Sequence, residues 1–269
     1  MPPSSGLTVL PHDLKSHVPR FDGSGAPVPG RKTQGDASGW VAAAARATGL
    51  PPPTTSVPWR NRPDYQEGPA GTYLANAIAA SQVDDPKTSL YEQQLARRRR
   101  GAGIAEAFAT PRGLVRRADD PQSGLDVAAA WAVRPFPLPT LFPAVRRTLL
   151  QRTTRQARPA AGGSRFGITP GEDWPGIDPW TAPTAWTAWS LAALSGSRGR
   201  TSRASALRNR RAALRLLGDL RRAATPAGDL PERADARSGV PRSTTPLAWS
   251  HAFAILALRE LWPADGGGG

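Results

Sequence analysis

The sequence predicts an all-α protein whose chemistry sits in the loops between its helices. Three observations lead there. Nearly every periodic segment repeats its apolar residues at helical spacing, and the alternation of a half-buried strand is almost absent. The stretches between these segments are long and hold many of the chain's 27 Gly and 29 Pro, residues that interrupt helices. The same stretches hold most of the Trp, Asp and Glu, which puts reactive side chains on loops. A chain of 269 residues is long enough to bury a sizeable core.

Residues 1–35 show no sustained period and read as an extended N-terminal segment. Trp40 to Thr48 is an Ala-rich helix stopped by Gly49 and the prolines at 51–53. Gly68 to Ala80 is a second helix candidate. Ser89 and Glu92 make a capping box, each side chain satisfying a backbone N–H of the other. That helix is expected to run through Leu95 into Arg97–Arg100 and to end at Gly101. Leu125–Val133 and Pro143–Arg152 come next, then a loop from Ala157 to Asp178.

Pro183–Leu194 and Ala204–Ala223 follow as helices. In the latter, Ala213, Leu217 and Leu220 share one face while Arg208, Arg211, Arg215 and Arg222 lie mostly off it. Thr245 is the expected cap of a last helix, with Pro246 at its first position. Leu247–Leu261 is apolar nearly all round (Phe253, Ile255, Leu256, Leu258), as a buried helix would be. The expected organisation is an extended segment at 1–35, one helical domain at 36–262 and a disordered tail at 263–269.

Lys and Arg number 35 against 21 Asp and Glu, a formal net charge of +14. Alone, that excess suggests an anionic partner. Lys occurs only at Lys15, Lys32 and Lys87, however, so 32 of the 35 basic residues are Arg. A chain rich in Ala, Gly, Pro and Arg is what GC-rich coding writes on any surface. The aromatics are not interleaved with the basic runs, as single-strand binding would want. No nucleic-acid partner is expected.

With no Cys, the chain lacks disulfides, thiolate chemistry and Cys-based metal sites. His12, His17 and His251 have no zinc-ligand spacing, and no metal or cofactor is expected. The glycine-rich phosphate and dinucleotide motifs and the Gly-x-Ser-x-Gly elbow are missing. No apolar run approaches the roughly 18 residues of a membrane helix, and Met1–Leu10 does not read as a signal peptide. A cytoplasmic protein without membrane contact is expected.

Three clusters of acids beside aromatics stand ahead of helices. They are Arg62-Pro63-Asp64-Tyr65-Gln66-Glu67, the stretch from Arg165 through Glu172-Asp173-Trp174 to Asp178-Pro179-Trp180, and Leu230-Pro231-Glu232-Arg233 with Pro246 to His251. Pyranose rings stack their C–H faces on indoles, and their hydroxyls bond Asp, Glu and Arg. Two separated carboxyls can then hydrolyse a glycoside, one as acid and one as base. Acids ahead of a helix can also serve only its dipole, so spacing alone leaves both readings open.

At these residues the sequence resembles the glucoamylase family of glycoside hydrolases (family 15), in particular its bacterial branch. LPERADARSG at Leu230–Gly239, followed by TPLAWSHAFAILAL from Thr245, is similar to the family's Leu-Pro-Glu-(Gln/Arg) loop and its Pro-Leu-x-Trp-Ser-(His/Tyr)-Ala helix start. SRFGITPGEDWPGIDPWTAPTAW resembles the family's Arg-Tyr, acidic pair and Asn/Asp-Pro-Trp loop. GRKTQGDASGW resembles its Gln-x-Asp-x-x-Gly-Trp helix, and LPPPTTSVPWRNRPDYQE its Pro-Asp-Tyr-Trp-Glu loop. Together these cover about residues 20–262.

The resemblance implies an (α/α)6 barrel, a six-hairpin toroid, and inverting hydrolysis of an α-glucoside such as a maltooligosaccharide, a glucan or trehalose. It puts Glu67 at the general acid and Glu232 at the general base. It puts Asp36, Tyr65, Arg165, Trp180, Trp249 and His251 at the substrate. The family's Trp-x-Arg-Asp motif has no counterpart, Gln66 replaces an aromatic residue, and 269 residues are few for six hairpins. The barrel is therefore expected to be incomplete, and an inactive or merely sugar-binding relative is the alternative.

Overall fold

The computed structural model describes residues 37–49, 73–82, 89–156, 164–196 and 202–263. The helices are α1 (Ala37–Thr48), α2 (Leu74–Ala80), α3 (Leu90–Phe108), α4 (Phe142–Gln156), α5 (Thr181–Gly196), α6 (Arg203–Ala223) and α7 (Ala248–Leu261). Between α3 and α4 lie short strands β1 (Ala109–Thr110), β2 (Gly113–Arg117) and β3 (Asp120–Leu125), then 3-10 turns at Val127–Ala132 and Pro139–Leu141. The helical framework expected from the sequence is present.

α5 is the centre of the fold. Every residue from Thr181 to Leu194 is buried. A helix buried all round must satisfy its polar groups internally, and α5 does so for most of them with hydroxyls and indoles, the buried Thr187 hydroxyl being the exception. Ser190 Oγ donates to the Ala130 carbonyl (2.7 Å) and Trp186 Nε1 to the Val127 carbonyl (3.2 Å). α5 packs against α6, α7 and the 127–132 turn. The amphipathic α6 turns Ala212, Ala213, Leu216 and Leu220 inward and leaves Arg208, Arg211, Arg215 and Arg222 exposed, as its periodicity requires. Trp40 of α1 meets Trp131 (5.1 Å between ring centroids), Phe136 (4.8 Å) and Phe253 of α7 (5.8 Å), so α1 and α7 share one aromatic core.

Several expectations are corrected. Strands are present: β1, β2 and β3 form an antiparallel sheet in the order β1-β2-β3. Tertiary contacts hold it, since Thr148 Oγ1 of α4 accepts the Leu114 N–H at 2.7 Å and Ser123 Oγ accepts the Arg117 N–H at 2.9 Å. Leu125, read as a helix start, closes β3, and the turn after it is 3-10. The Ser89–Glu92 capping box is in place, but α3 does not stop at Gly101. Gly101 lies inside the helix, where its missing Cβ makes room for Thr140, whose Oγ1 would be 2.5 Å away. The arginines at 97–100 are consequently mid-helix rather than at its end. α2 begins at Leu74, and the expected start at Gly68 lies outside the described residues.

α7 begins at Ala248 with Leu247 as N-cap, so Pro246 precedes the helix. Thr245 Oγ1 donates to the Ser243 carbonyl instead of capping. Only one face of α7 is covered: Ser250, Phe253, Ala257 and Leu261 are buried, whereas Trp249, Ile255 and Leu258 are exposed.

The residues just ahead of the inner helices are knitted together by isolated β-bridges. Tyr73, before α2, pairs with Arg117 of β2. Asp126, before the 3-10 turn, pairs with Gly171. Trp180, before α5, pairs with Ile168 and with Arg233, and Ala234 pairs with Pro241 in the loop before α7. The result is one continuous rim at the N-terminal ends of α2, α5 and α7.

Candidate functional site

Glu232 lies on this rim, in the loop between α6 and α7. Its backbone N–H donates to the Thr244 carbonyl (2.8 Å), and its carbonyl accepts the Thr181 N–H at the start of α5 (3.1 Å). The half-buried carboxylate accepts a hydrogen bond at Oε2 from the Ser243 hydroxyl. One residue earlier, the Pro231 carbonyl accepts from Thr181 Oγ1, which also bonds Ser250 Oγ of α7 at 2.8 Å. Thr181 and Ser250 are fully buried. Leu230 is clamped as well, its carbonyl accepting the Leu247 N–H (2.8 Å). Glu232 is thus held from both sides, by backbone bonds to Thr181 and Thr244 and by the Ser243 hydroxyl.

His251, expected at the substrate, has its Nε2 engaged by the Leu230 N–H at 3.0 Å, which ties α7 to the same loop. Trp180 donates its N–H to the Ile168 carbonyl (3.0 Å), and the Arg233 guanidinium lies 5.7 Å over its ring. Arg165 is exposed, with its guanidinium 5.5 Å from the Phe166 ring and its carbonyl accepting from Arg222. Trp249 is 44% exposed in the first turn of α7, edge-on to Trp186 at 6.2 Å. These five residues share the rim. Asp36, Tyr65 and Glu67 lie outside the described residues.

The tip of the Glu232 loop is shaped by Asp235, whose carboxylate accepts from the Ser238 N–H, the Arg237 N–H and the Arg242 guanidinium. Those donors, Arg242 foremost, hold its carboxyl well below the usual range. Asp178 accepts the Ala236 N–H (3.1 Å), joining this loop to the one before α5. Gly239, at φ +76°, lets the chain pass over the Phe166 ring, where a Cβ would come within 2.4 Å.

A second group on the rim was not visible from spacing. Arg116 of β2 donates to Asp173 Oδ1 (3.1 Å) and lies 3.7 Å from Asp126. Its guanidinium is 5.2 Å from the Tyr73 ring and 5.0 Å from the Trp174 ring. Burial pushes the Asp126 carboxyl up to about 6, although its side-chain bond with the Ala128 N–H and the nearby Arg116 pull the other way. Glu172, next to Asp173, pairs with Arg112 and accepts the Leu125 N–H (3.0 Å). Sequence reasoning selected Glu172, Asp173 and Trp174 as a cluster but missed Arg116, Asp126, Thr181 and Ser243. A hydroxyl or a cation brought in from a distant element leaves no local signature.

The sequence by itself matches no protein-family model and none of the curated proteins. Solved structures do match. A wild-type glycosidase superposes with a TM-score of 0.58 at 17% identity, over 85% of this chain and 67% of that one. A variant glycosidase in complex with glucose gives 0.56 at 18% identity over the same shares. The glucoamylase of Hormoconis resinae gives 0.63 at 13% identity, over 89% of this chain and 55% of that enzyme. The fold is that of the glucoamylases. The chain spans just over half of the Hormoconis enzyme's length. Among the described residues, no helix is long and apolar enough to cross a membrane.

Proposed function

We propose that the chain is a glycoside hydrolase that cleaves an α-glucosidic bond with inversion, using Glu232 as general base and Glu67 as general acid. The observation that carries this reading is the fixed carboxylate of Glu232. With Oε2 taken by the Ser243 hydroxyl, Oε1 remains for water, and the loop beneath is anchored by Thr181 and His251. Glu67 gives its proton to the glycosidic oxygen as the bond to the anomeric carbon breaks. Water attacks that carbon from the opposite face while Glu232 takes its proton, leaving the β-anomer. That geometry requires about 6.5–9.5 Å between the two carboxyls, room for one water.

Trp249 and Trp180 offer indole surface to the sugar, and Arg165 offers a donor to its hydroxyls. The solved glycosidase that holds glucose supports a sugar ligand. The setting of this reading is carbohydrate metabolism in the cytoplasm, with maltooligosaccharides, glucans or trehalose as substrates. Incubation with maltose, maltotriose and trehalose tests it: glucose release is expected from at least one, lost in Glu232→Gln. No turnover of any of the three by cooperatively folded protein would favour the alternative, a sugar-binding relative without activity.

A further inference from the structure

We propose that the outer face of α6 is a docking surface for a membrane leaflet rich in anionic phospholipid. The surface is on the side of the molecule rather than on the rim, and its role holds whether or not the chain hydrolyses a glycoside.

Six arginines of α6 are exposed: Arg203, Arg208, Arg211, Arg215, Arg221 and Arg222. Helical spacing gathers them on the face opposite Ala212, Ala213, Leu216 and Leu220, which pack into the core. The one acid of the helix, Asp219, is turned inward and buried, where it pairs with Arg222. Arg208 and Arg215 donate to neutral groups, the Ser205 hydroxyl and the Thr153 carbonyl. GC-rich coding accounts for arginine anywhere on the surface but not for this segregation. At the chain's ratio of 21 acids to 35 bases, six arginines would carry several acids with them. An unbroken positive face calls for an anionic partner.

Two leucines decide which one. Leu207 and Leu214 stand within the arginine field, two turns apart, and are 47% and 37% exposed. Duplex nucleic acid would bring phosphates to the arginines but little apolar surface to the leucines. A leaflet brings both, phosphates at the level of the guanidinium groups and acyl chains just beneath. Arginine suits the phosphates, because its planar fork takes two oxygens at once.

The shape fits as well. α6 has 21 residues, about 31 Å at the rise of an α-helix, and its side can lie along a leaflet. Its C-terminal end is at the rim, where Arg222 donates to the Arg165 carbonyl. A molecule bound along α6 therefore keeps the rim open to solvent. Such surface contact needs no spanning helix, and none of the described helices is long and apolar enough to be one.

Co-sedimentation of the full-length protein with phosphatidylcholine vesicles, with and without about 30% phosphatidylserine, tests the proposal. Binding is expected only to the anionic vesicles, and is lost at about 0.5 M NaCl. Arg208→Gln/Arg211→Gln should weaken it about thirtyfold. Arg98→Gln/Arg99→Gln, which removes the same charge from exposed positions on α3, should weaken it less than about threefold. Leu207→Asn/Leu214→Asn keeps every charge and should weaken it about tenfold. Arg208→Lys/Arg211→Lys should bind within about threefold of the parent, and circular dichroism melts show that each variant is folded. No binding to the anionic vesicles, equal losses from the α3 and α6 arginine pairs, or an unchanged affinity in the leucine pair overturns the proposal. Displacement from the vesicles by duplex DNA at equal phosphate concentration overturns it too, as the result that a nucleic-acid surface would give.

Discussion

The loop before α5 and the loop before α7 lie side by side, bridged at Trp180 and Arg233 and tied by Asp178, yet different forces hold them. The first is fastened by charge. Arg112, Arg116 and Arg152 reach it from β2, its turn and α4 through Glu172, Asp173 and backbone carbonyls. The second is fastened beneath Glu232 by hydroxyls and an imidazole, those of Thr181, Ser250, Ser243 and His251. Its ion pair, Asp235–Arg242, is at the exposed tip. A proposed catalytic carboxylate is thus carried on a support of hydroxyl, imidazole and backbone hydrogen bonds, whereas the neighbouring wall is ionic.

That contrast can be broken at several points. Gly239→Ala should have the largest effect on stability, about 3 kcal/mol, because a Cβ at φ +76° would sit 2.4 Å from the Phe166 ring that joins the loops. A thermal melt reads it. Thr181→Val should cost about 2 kcal/mol by leaving the Pro231 carbonyl and Ser250 without their buried partner. Arg112→Ala, which removes a half-exposed pair, should cost under about 1 kcal/mol. A larger loss from Arg112 than from Thr181 would reverse the assignment of forces.

Asp126 sharpens the comparison through pH. Its folded carboxyl titrates at about 6, above the ordinary carboxyl range, because of burial. Stability associated with its protonated form is therefore fully present below about pH 4 and is lost as pH rises through about 6, up to about 3 kcal/mol in all. Asp126→Asn, which keeps an acceptor for the Ala128 N–H, should flatten that slope in urea melts between pH 4 and 7. The smallest effect is expected from salt. Raising NaCl to 1 M should speed hydrogen exchange at Glu172 and Val127 more than at Glu232 and Leu247, because screening weakens charged contacts alone.

Much of this was legible in the sequence where the cause is local. The Ser89–Glu92 box and the apolar stripe of α6 depend on neighbours three and four residues away, and both stand as read. The Leu230–Gly239 and Thr245–His251 motifs led to the loop that carries Glu232. What was not legible depends on distant partners. The strands at 109–125 contain Pro121 and Gly124 and owe their pairing to Thr148 and Ser123. α5 and α7 have similar hydropathy, but only α5 is covered on all sides. Ser243 and Arg116 became site residues only when folding brought them to Glu232 and Trp174.

The anomer released from maltose, followed by proton NMR in wild-type and Glu232→Gln protein, tests the central claim most directly. Inverting hydrolysis with Glu232 as base gives β-glucose first, with the α-anomer appearing only by mutarotation, and a rate about a thousandfold lower in the variant. Initial release of α-glucose, or equal rates in the two proteins, would contradict it.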